Sequence, residues 1–294
     1  MAALLDTRHG GATEFLRRLR KHPTAAAGGL VLAAFAAVAA LAPILAPADP
    51  NEALLTHRLA PPGHTAPDGS RFYLGTDQLG RDILSRILLG ARVSLQVGGL
   101  ATAASLLLGF VLGMGAGFFR GSLDASLSRF ADVLMAFPYL IFAIGVMAVV
   151  GPGIWNLILA LSFKGWVEFF RLARAETLVQ LTRDYVEAAR ALGASSVYII
   201  RRHIAPNIIY TSLALATLRL GSFIVLEASL SFLGLGVPPR IPAWGSMVAD
   251  GREVLPTAWW VSTFPGLAIV LLVLAVNLFG EGTRDILDPR LREG

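Results

Sequence analysis

Long apolar stretches separated by short polar segments set the pattern of this chain. A helix that crosses a bilayer core of about 30 Å needs about 20 apolar residues. Charge-free runs near that length occur at residues 24–46, 93–119, 133–150 and 258–280. They predict four membrane-spanning helices. Pro138 is expected to kink the third of them, which ends at a Gly-Pro-Gly sequence at residues 151–153.

Two further apolar stretches carry charged side chains within them. In the first, Lys164 and Glu168 are four residues apart, so on a helix they share a face and can pair. Pairing would lower the cost of placing them near the bilayer. We therefore predict two more spans, at residues 154–172 and 207–236.

The basic residues agree with six spans and a cytoplasmic N-terminus. With that orientation the inner segments hold 16 Lys and Arg residues and the outer segments hold 7. An excess of positive charge on the cytoplasmic side is the usual bias of membrane proteins. The predicted fold class is an all-α membrane protein with six transmembrane helices and both termini in the cytoplasm.

Composition excludes several other classes of protein. The chain has 294 residues, of which 55% are hydrophobic and 15% charged, whereas soluble domains have about 25% charged residues. Cysteine is absent, which excludes disulfides and thiolate metal sites. The five histidines lack metal-ligand spacing, although His57 and His64 share the outer loop. We expect no metal site.

Two further sequence features bear on the cofactors and partners of this chain. Neither lysine lies in a P-loop sequence, so we expect no catalytic residues and no cofactor bound by this chain. A basic cluster at residues 17–21 precedes the first span and indicates anionic membrane lipid as a partner. Binding to nucleic acid is not indicated.

The second predicted span contains a small-residue ridge. Gly109, Gly113 and Gly117 repeat at intervals of four and lie on one helix face, whereas Gly115 lies on another. Such a ridge lets a second helix approach closely. Residues 82–92, just before this span, are either an amphipathic interfacial lead-in or extra turns of the same helix.

The polar segment at residues 171–206 is long for a loop between spans and has its own predicted structure. Asp184 has the spacing of a helix N-cap in a capping box. Gly193 follows where a left-handed C-cap is needed, Ser195 can cap a second helix, and Pro206 is expected to end it. The pattern predicts helix, glycine turn, helix on the cytoplasmic face.

The first of these helices has the features of a docking element. Ala188 and Ala189 are small enough to let another surface come close, and Glu187 and Arg190 flank them with fixed charges. The alternative is a solvated loop held against the protein's own spans.

Four motifs in this order resemble one family. Glu187-Ala188-Ala189, followed by Gly193 and Pro206, resembles the EAA loop of binding-protein-dependent ABC importer permeases, although Ala205 stands where leucine is frequent. Segments similar to those of dipeptide, oligopeptide and nickel permeases of the C type lie at residues 74–86, 230–245 and 287–292.

The resemblance implies a permease of the type I ABC importer fold in a bacterial plasma (inner) membrane. It implies a heterodimer with a sister permease, two ATPase subunits that bind ATP and Mg²⁺, and an extracytoplasmic substrate-binding protein. The expected substrate is a dipeptide or oligopeptide, with nickel or another small solute as the alternative. Residues Asp184, Glu187, Ala188, Ala189, Arg190, Gly193 and Pro206 would couple the permease to the ATPases.

The expected organisation has three parts. Residues 1–92 comprise the N-terminal tail, the first span and the outer loop; residues 93–283 form a five-helix core that includes the coupling loop at 171–206; and residues 284–294 form a cytoplasmic tail.

Charges inside spans are functional candidates. Arg219 and Glu227 are eight residues apart, hence on roughly one helix face. Either both line a polar pore and meet a zwitterionic peptide, or each snorkels to the membrane interface or pairs with the sister subunit. A competing function is a proton-coupled secondary transporter, in which Glu227, Asp132 and a Lys164–Glu168 pair would form a proton relay.

Overall fold

The computed structural model describes residues 22–67 and 69–287, and this part of the chain is mostly helical. The basic cluster at residues 17–21 and nearly all of the tail motif at 287–292 lie outside it. The helices are α1 (Pro23–Leu45), α2 (Ile83–Phe119), α3 (Gly121–Met135), α4 (Tyr139–Val150), α5 (Ile154–Gln180), α6 (Asp184–Ala191), α7 (Ser196–Ile199), α8 (Ala205–Phe232), α9 (Trp244–Arg252) and α10 (Trp260–Leu287).

The outer segment between α1 and α2 contains a small antiparallel hairpin, which the all-α prediction did not include. Its strands are β1 (His64–Thr65) and β2 (Arg71–Phe72). The rings of His57, His64 and Phe72 pack together on this hairpin, with the two imidazole centroids 5.7 Å apart. In the described ranges no three His, Asp or Glu side chains are grouped closely enough to hold a metal ion.

The predicted third span is not a straight helix. It is divided into α3 and α4, which meet at an angle of 92°. The helix breaks at Pro138 because proline has no N–H to donate and its ring clashes with the preceding turn. The 12 residues of α4 reach only about 18 Å. The expected kink at Pro138 is thus confirmed, and a single span over residues 133–150 stays a prediction.

The described helices include four that are long and apolar enough to cross a membrane, or five if the bent pair counts as one. These four are α1, α2, the continuous stretch of α7 and α8, and α10. The 27-residue α5 is long enough, but it is not in this set because it carries charged residues in its middle. The count of six spans therefore stays a prediction.

Helix α2 begins at Ile83, so residues 83–92 are extra turns of the span rather than a separate lead-in. Asp82 caps it, since its carboxylate accepts a 2.8 Å hydrogen bond from the Ser85 amide. The following turns hold buried Arg86, whose guanidinium donates to the Pro50 carbonyl at 3.0 Å and lies 3.8 Å from Asp77. The cap and these contacts fix the outer loop to the start of the span.

The glycine ridge of α2 lies against α5. A methyl group added to Gly109, Gly113 or Gly117 would come within 2.3 to 2.9 Å of a carbonyl oxygen of α5. Around Gly115 nothing lies within 4 Å of such a methyl group. The two helix backbones therefore touch along the ridge. Around this pair, α8 packs against α2 and α10, and α1 packs against α10 and α2.

Polar contacts join α9 to the beginning of α2 and to the segment before it. Arg81 donates to Asp77 at 2.7 Å and approaches Asp250 of α9 to 3.8 Å. Partial burial raises the pKa of the Asp250 carboxyl, and nearby Arg81 and Arg86 oppose that shift. The Trp244 indole donates to the Ile87 carbonyl at 2.9 Å. These contacts place α9 across the outer end of α2.

Candidate functional site: an exposed helical segment and a cavity between helices

The candidate coupling segment forms a helix, a glycine turn and a second helix. Helix α6 begins at Asp184, and the N-cap position is occupied by Arg183, in extended conformation and without a side-chain cap. The prediction that Asp184 caps the helix was wrong, because Asp184 is itself the first helical residue. Its carboxylate still lies near the positive end of the helix dipole.

The turn after α6 has the hydrogen bonds of a Schellman motif. Gly193 has a φ of +81°, and its amide donates to the Arg190 carbonyl at 2.9 Å. The amide of Ala194 donates to Ala189 at 3.0 Å. Ser195 then caps α7 by accepting from the Tyr198 amide at 3.3 Å. The left-handed glycine and the serine cap are both where the sequence predicted them.

Pro206 does not end the second helix. After α7 the chain forms a π-helical turn over Ile200–Ile204 and continues directly as α8, with Pro206 in its first turn. The wider turn accommodates the proline ring and its missing N–H. The second helix and the following span are thus continuous, and Pro206 marks a local change of helix type at their junction.

Burial separates the two faces of the segment. Val186 is fully buried and packs among Leu181, Ile199, Ile204 and Ile208. On the other face, Leu192 is 89% exposed and Val197 is 57% exposed. Six of the exposed residues form what we call the coupling surface: Glu187, Ala188, Arg190, Leu192, Val197 and Tyr198.

Two predicted coupling residues also contact the body of the protein. Ala189 is half-buried against the cluster under α6, and the Arg190 guanidinium lies 5.8 Å from the centre of the Phe118 ring at the end of α2. Helix α6 is thus in direct contact with the end of α2.

A group of hydrogen-bonded side chains that the sequence did not predict joins α6 to α8, and we call it the Tyr185–Asn207 clip. The Tyr185 hydroxyl donates to the Gln180 side chain, and Asn207 donates to the Tyr185 oxygen at 3.2 Å and to the His203 carbonyl at 2.5 Å. Tyr185 and Asn207 are 22 residues apart in sequence, so no local sequence pattern predicts the contact between them.

A cavity of about 420 Å³ lies where α4, α5, α8 and α10 converge. Inside it, Arg219 of α8 forms an ion pair with Glu168 of α5. The side chains of Arg219 and Glu168 are 38% and 28% exposed. Tyr139, Ser222 and Asn277 also line the cavity.

The pairing of Lys164 with Glu168, expected from their spacing, is replaced by contacts to other partners. Glu168 pairs with Arg219, whereas buried Lys164 donates to the Phe137 carbonyl at the break between α3 and α4. The Lys164 ammonium also lies 5.4 Å from the centre of the Tyr139 ring.

Glu227 is fully buried and does not share the cavity with Arg219. Its two carboxylate oxygens accept hydrogen bonds from Ser94 and Ser231, each at 2.9 Å. The structure therefore places Arg219 at the cavity and Glu227 in the packing between α2 and α8. Asp132, the other acid of the proton-relay hypothesis, pairs at 2.7 Å with Arg171.

Comparison with known proteins agrees with this architecture. Residues 109–293 match the family of binding-protein-dependent transport system inner membrane components, and residues 12–62 match the N-terminal transmembrane domain of oligopeptide transport permease C. The chain is 42% identical to the di/tripeptide transport system permease protein DppC of Pseudomonas aeruginosa, over 92% of this chain and 90% of the relative.

Two further similarities extend this result. The glutathione transport system permease protein GsiD of Pectobacterium atrosepticum is 41% identical over 95% of this chain and 91% of its own length. A chain of the inward-facing MetNI methionine ABC transporter superposes with a TM-score of 0.57 at 17% identity, covering 69% of this chain and 96% of that one. The fold is thus that of an ABC importer permease, and the chain belongs to the family of binding-protein-dependent transport system inner membrane components.

Proposed function

We propose that this chain is one of two permease subunits of an ATP-driven peptide importer in a bacterial inner membrane. The sister permease would complete the pore, two ATPase subunits would bind on the cytoplasmic side, and an extracytoplasmic protein would deliver the peptide. The relatives named for di/tripeptide and glutathione transport support a short peptide as the substrate.

One observation carries the coupling role. The segment of α6 and α7 presents Leu192 at 89% exposure, on a turn whose shape is held by left-handed Gly193, and Glu187 and Arg190 of the same segment are also exposed. Val197 and Tyr198 of α7 are exposed as well, and exposed apolar side chains grouped with polar ones are typical of a protein–protein contact. An ATPase subunit is the partner that the family supplies for it.

Coupling follows from the packing beneath the surface. Closure of the ATPase pair on ATP would displace α6, and Val186, Arg190 and the Tyr185–Asn207 clip would carry that displacement to α2 and α8. A ligand shifts such an equilibrium only through its different affinities for the two states. ATP and the loaded binding protein would provide that difference.

The test is co-purification of the tagged chain in mild detergent, followed by peptide uptake in proteoliposomes. We expect a second permease and P-loop ATPases with the unaltered chain. Glu187→Lys should abolish ATPase recovery and uptake while leaving membrane insertion intact. Glu253→Lys makes the same charge change at an exposed residue after α9 and serves as the matched control.

The outcomes separate the competing functions. Normal uptake by the Glu187→Lys importer would contradict the coupling role. ATP-driven uptake of nickel or another small solute, without uptake of dipeptide, would retain the machinery and change the substrate. Uptake by the chain alone, driven by a proton gradient, would replace the proposal with a secondary transporter.

A further inference from the structure

The ion pair between Glu168 and Arg219 joins the middles of two long helices, of which α8 belongs to a stretch apolar enough to cross a membrane. Glu168 is near the middle of the 27-residue α5, and Arg219 is near the middle of the 28-residue α8. Charged side chains at such depth are costly and generally face a bundle interior or a water-filled cavity. Here both face the cavity of about 420 Å³.

The cavity has the size and lining of a small-molecule site. Its volume falls in the range of about 300 to 1,000 Å³ that is usual for ligand pockets. Apolar side chains of Leu226 and Val273 form part of the wall, and the polar groups of Tyr139, Ser222 and Asn277 stand beside the ion pair.

Two glycines keep space open in this region. A methyl group on Gly221 would come 2.8 Å from the Asn277 side-chain oxygen. One on Gly165 would come 2.6 Å from the Phe223 ring and 3.1 Å from the Tyr139 hydroxyl. Any larger residue at either position would displace a side chain that lines the cavity.

We propose that the Glu168–Arg219 pair is a transit site for a zwitterion, in which Arg219 takes the carboxylate of a short peptide and Glu168 takes its ammonium group. This inference rests on the proposed peptide importer and adds the residues that the peptide meets inside the membrane. The termini of an extended dipeptide are about 7 Å apart, so opening the pair by that distance lets both ends bind.

Every charge stays paired when the peptide replaces the contact between Glu168 and Arg219. The ion pair opens, each side chain forms a new charge-assisted hydrogen bond to the peptide, and no unpaired charge remains in the cavity. When the peptide leaves, the side chains pair again and restore a neutral site. A peptide with one blocked terminus leaves one side chain unpaired and is disfavoured.

The first test uses the double variant Glu168→Gln with Arg219→Gln in the reconstituted importer with its own partners and binding protein. Uptake of labelled dialanine should fall about tenfold or more, as expected when charge-assisted hydrogen bonds are lost. Recovery of the sister permease and ATPase activity in detergent should be unchanged. The matched control is Asp124→Asn with Arg174→Gln, which removes the ion pair between α3 and α5 outside the cavity.

A merely structural ion pair predicts a different result, because neutralising both members of a pair removes no net charge and often leaves stability unchanged. Full dialanine uptake by the double variant would therefore overturn the transit site. Loss of the sister permease from the double variant would also overturn it, and would assign the pair to the subunit interface.

A second test identifies the role of each charge. Uptake is compared between dialanine, its C-terminal amide and its N-acetyl form, each normalised to the amount bound by the binding protein. Arg219→Gln should abolish the preference for the free carboxylate and retain the preference for the free ammonium group. Unchanged preferences would contradict the assignment. If the unaltered importer fails to take up dialanine with ATP, the proposed function itself has failed, independently of both variants.

Discussion

Gly193 holds the coupling surface through its backbone conformation. Its φ of +81° lies in the left-handed region, and a methyl group there would meet nothing within 4 Å. Substitution therefore acts through strain alone, which is about 1–2 kcal/mol for an ordinary residue and least for Asn. We expect Gly193→Val to lower ATPase co-purification and peptide uptake, and Gly193→Asn to retain most of both.

Gly234 provides the control for this comparison. It has a φ of +77° and equally open surroundings, but it follows α8 at the opposite end of that helix from the coupling surface. Gly234→Val should leave ATPase recovery unchanged. If Gly193→Val and Gly193→Asn behave alike, backbone strain is not what the glycine relieves.

Glu227 distinguishes the importer from a proton-coupled transporter at a single residue. Its carboxylate accepts from Ser94 and Ser231 and is closed off from solvent. Gln has nearly the same shape and keeps a hydrogen-bonding group toward both serines, so Glu227→Gln should preserve uptake. Glu227→Leu leaves both hydroxyls unpaired and should destabilise the protein by about 1–3 kcal/mol. Thermal unfolding and uptake assays measure the two effects. Complete loss of uptake in Glu227→Gln, with the fold intact, would favour a proton carrier.

At the scale of elements, the contact between α2 and α5 depends on the absence of side chains along one ridge. Gly113→Leu would push against the Phe170 carbonyl, whereas Gly115→Leu projects into open space on another face. Overpacking of this kind costs about 1–3 kcal/mol. We expect a lower apparent unfolding temperature for Gly113→Leu in detergent and little change for Gly115→Leu. Equal shifts in the two variants would show that the ridge is not a tight contact.

The sequence predicted those elements whose signals are local. Apolar runs located α1 and α8 to within four residues at each end, whereas α2 begins ten residues before its run and α10 ends seven residues after its run. The spacing of four identified the glycine ridge. Local signals were ambiguous where a residue had two permitted roles. Asp184 fits either an N-cap or the first helical turn, and Pro206 either ends a helix or follows a wider turn. Packing of the surrounding helices decided each case.

The site was less predictable because its key contacts join distant parts of the chain. Arg219 was identified as an intramembrane charge, but its partner Glu168 lies on another helix, and the spacing of four favoured Lys164 instead. Lys164 donates to the Phe137 carbonyl instead, because the break at Pro138 leaves that carbonyl without a helical partner.

At the scale of the whole molecule, the single chain leaves apolar faces uncovered. Trp155, Leu159 and Phe163 follow one face of α5 and are 67%, 65% and 52% exposed. Lipid or a second permease covers such a face in a membrane. The cavity beside α5 and α8 is partly open to the surroundings.

The path of the bent pair decides the number of spans. The Gly153 amide, just after α4, donates to the Gly236 carbonyl beyond the end of α8 at 2.9 Å. The end of α4 and the outer end of α8 are therefore neighbours, and we expect α3 and α4 together to cross the membrane. With α5 returning to the cytoplasmic side, the chain would cross six times.

The natural absence of cysteine makes this topology directly measurable. Single cysteines are introduced at exposed positions and labelled in intact cells with a membrane-impermeant maleimide. Six spans place Glu52→Cys and Pro152→Cys outside, where they are labelled at once, and Ser122→Cys and Ser196→Cys inside, where labelling requires permeabilised membranes. The cysteine-free parent should stay unlabelled throughout. Protection of Pro152→Cys in intact cells would mean that the bent pair returns to the side where it began, and α5 could then not lead from the outer face to the coupling surface.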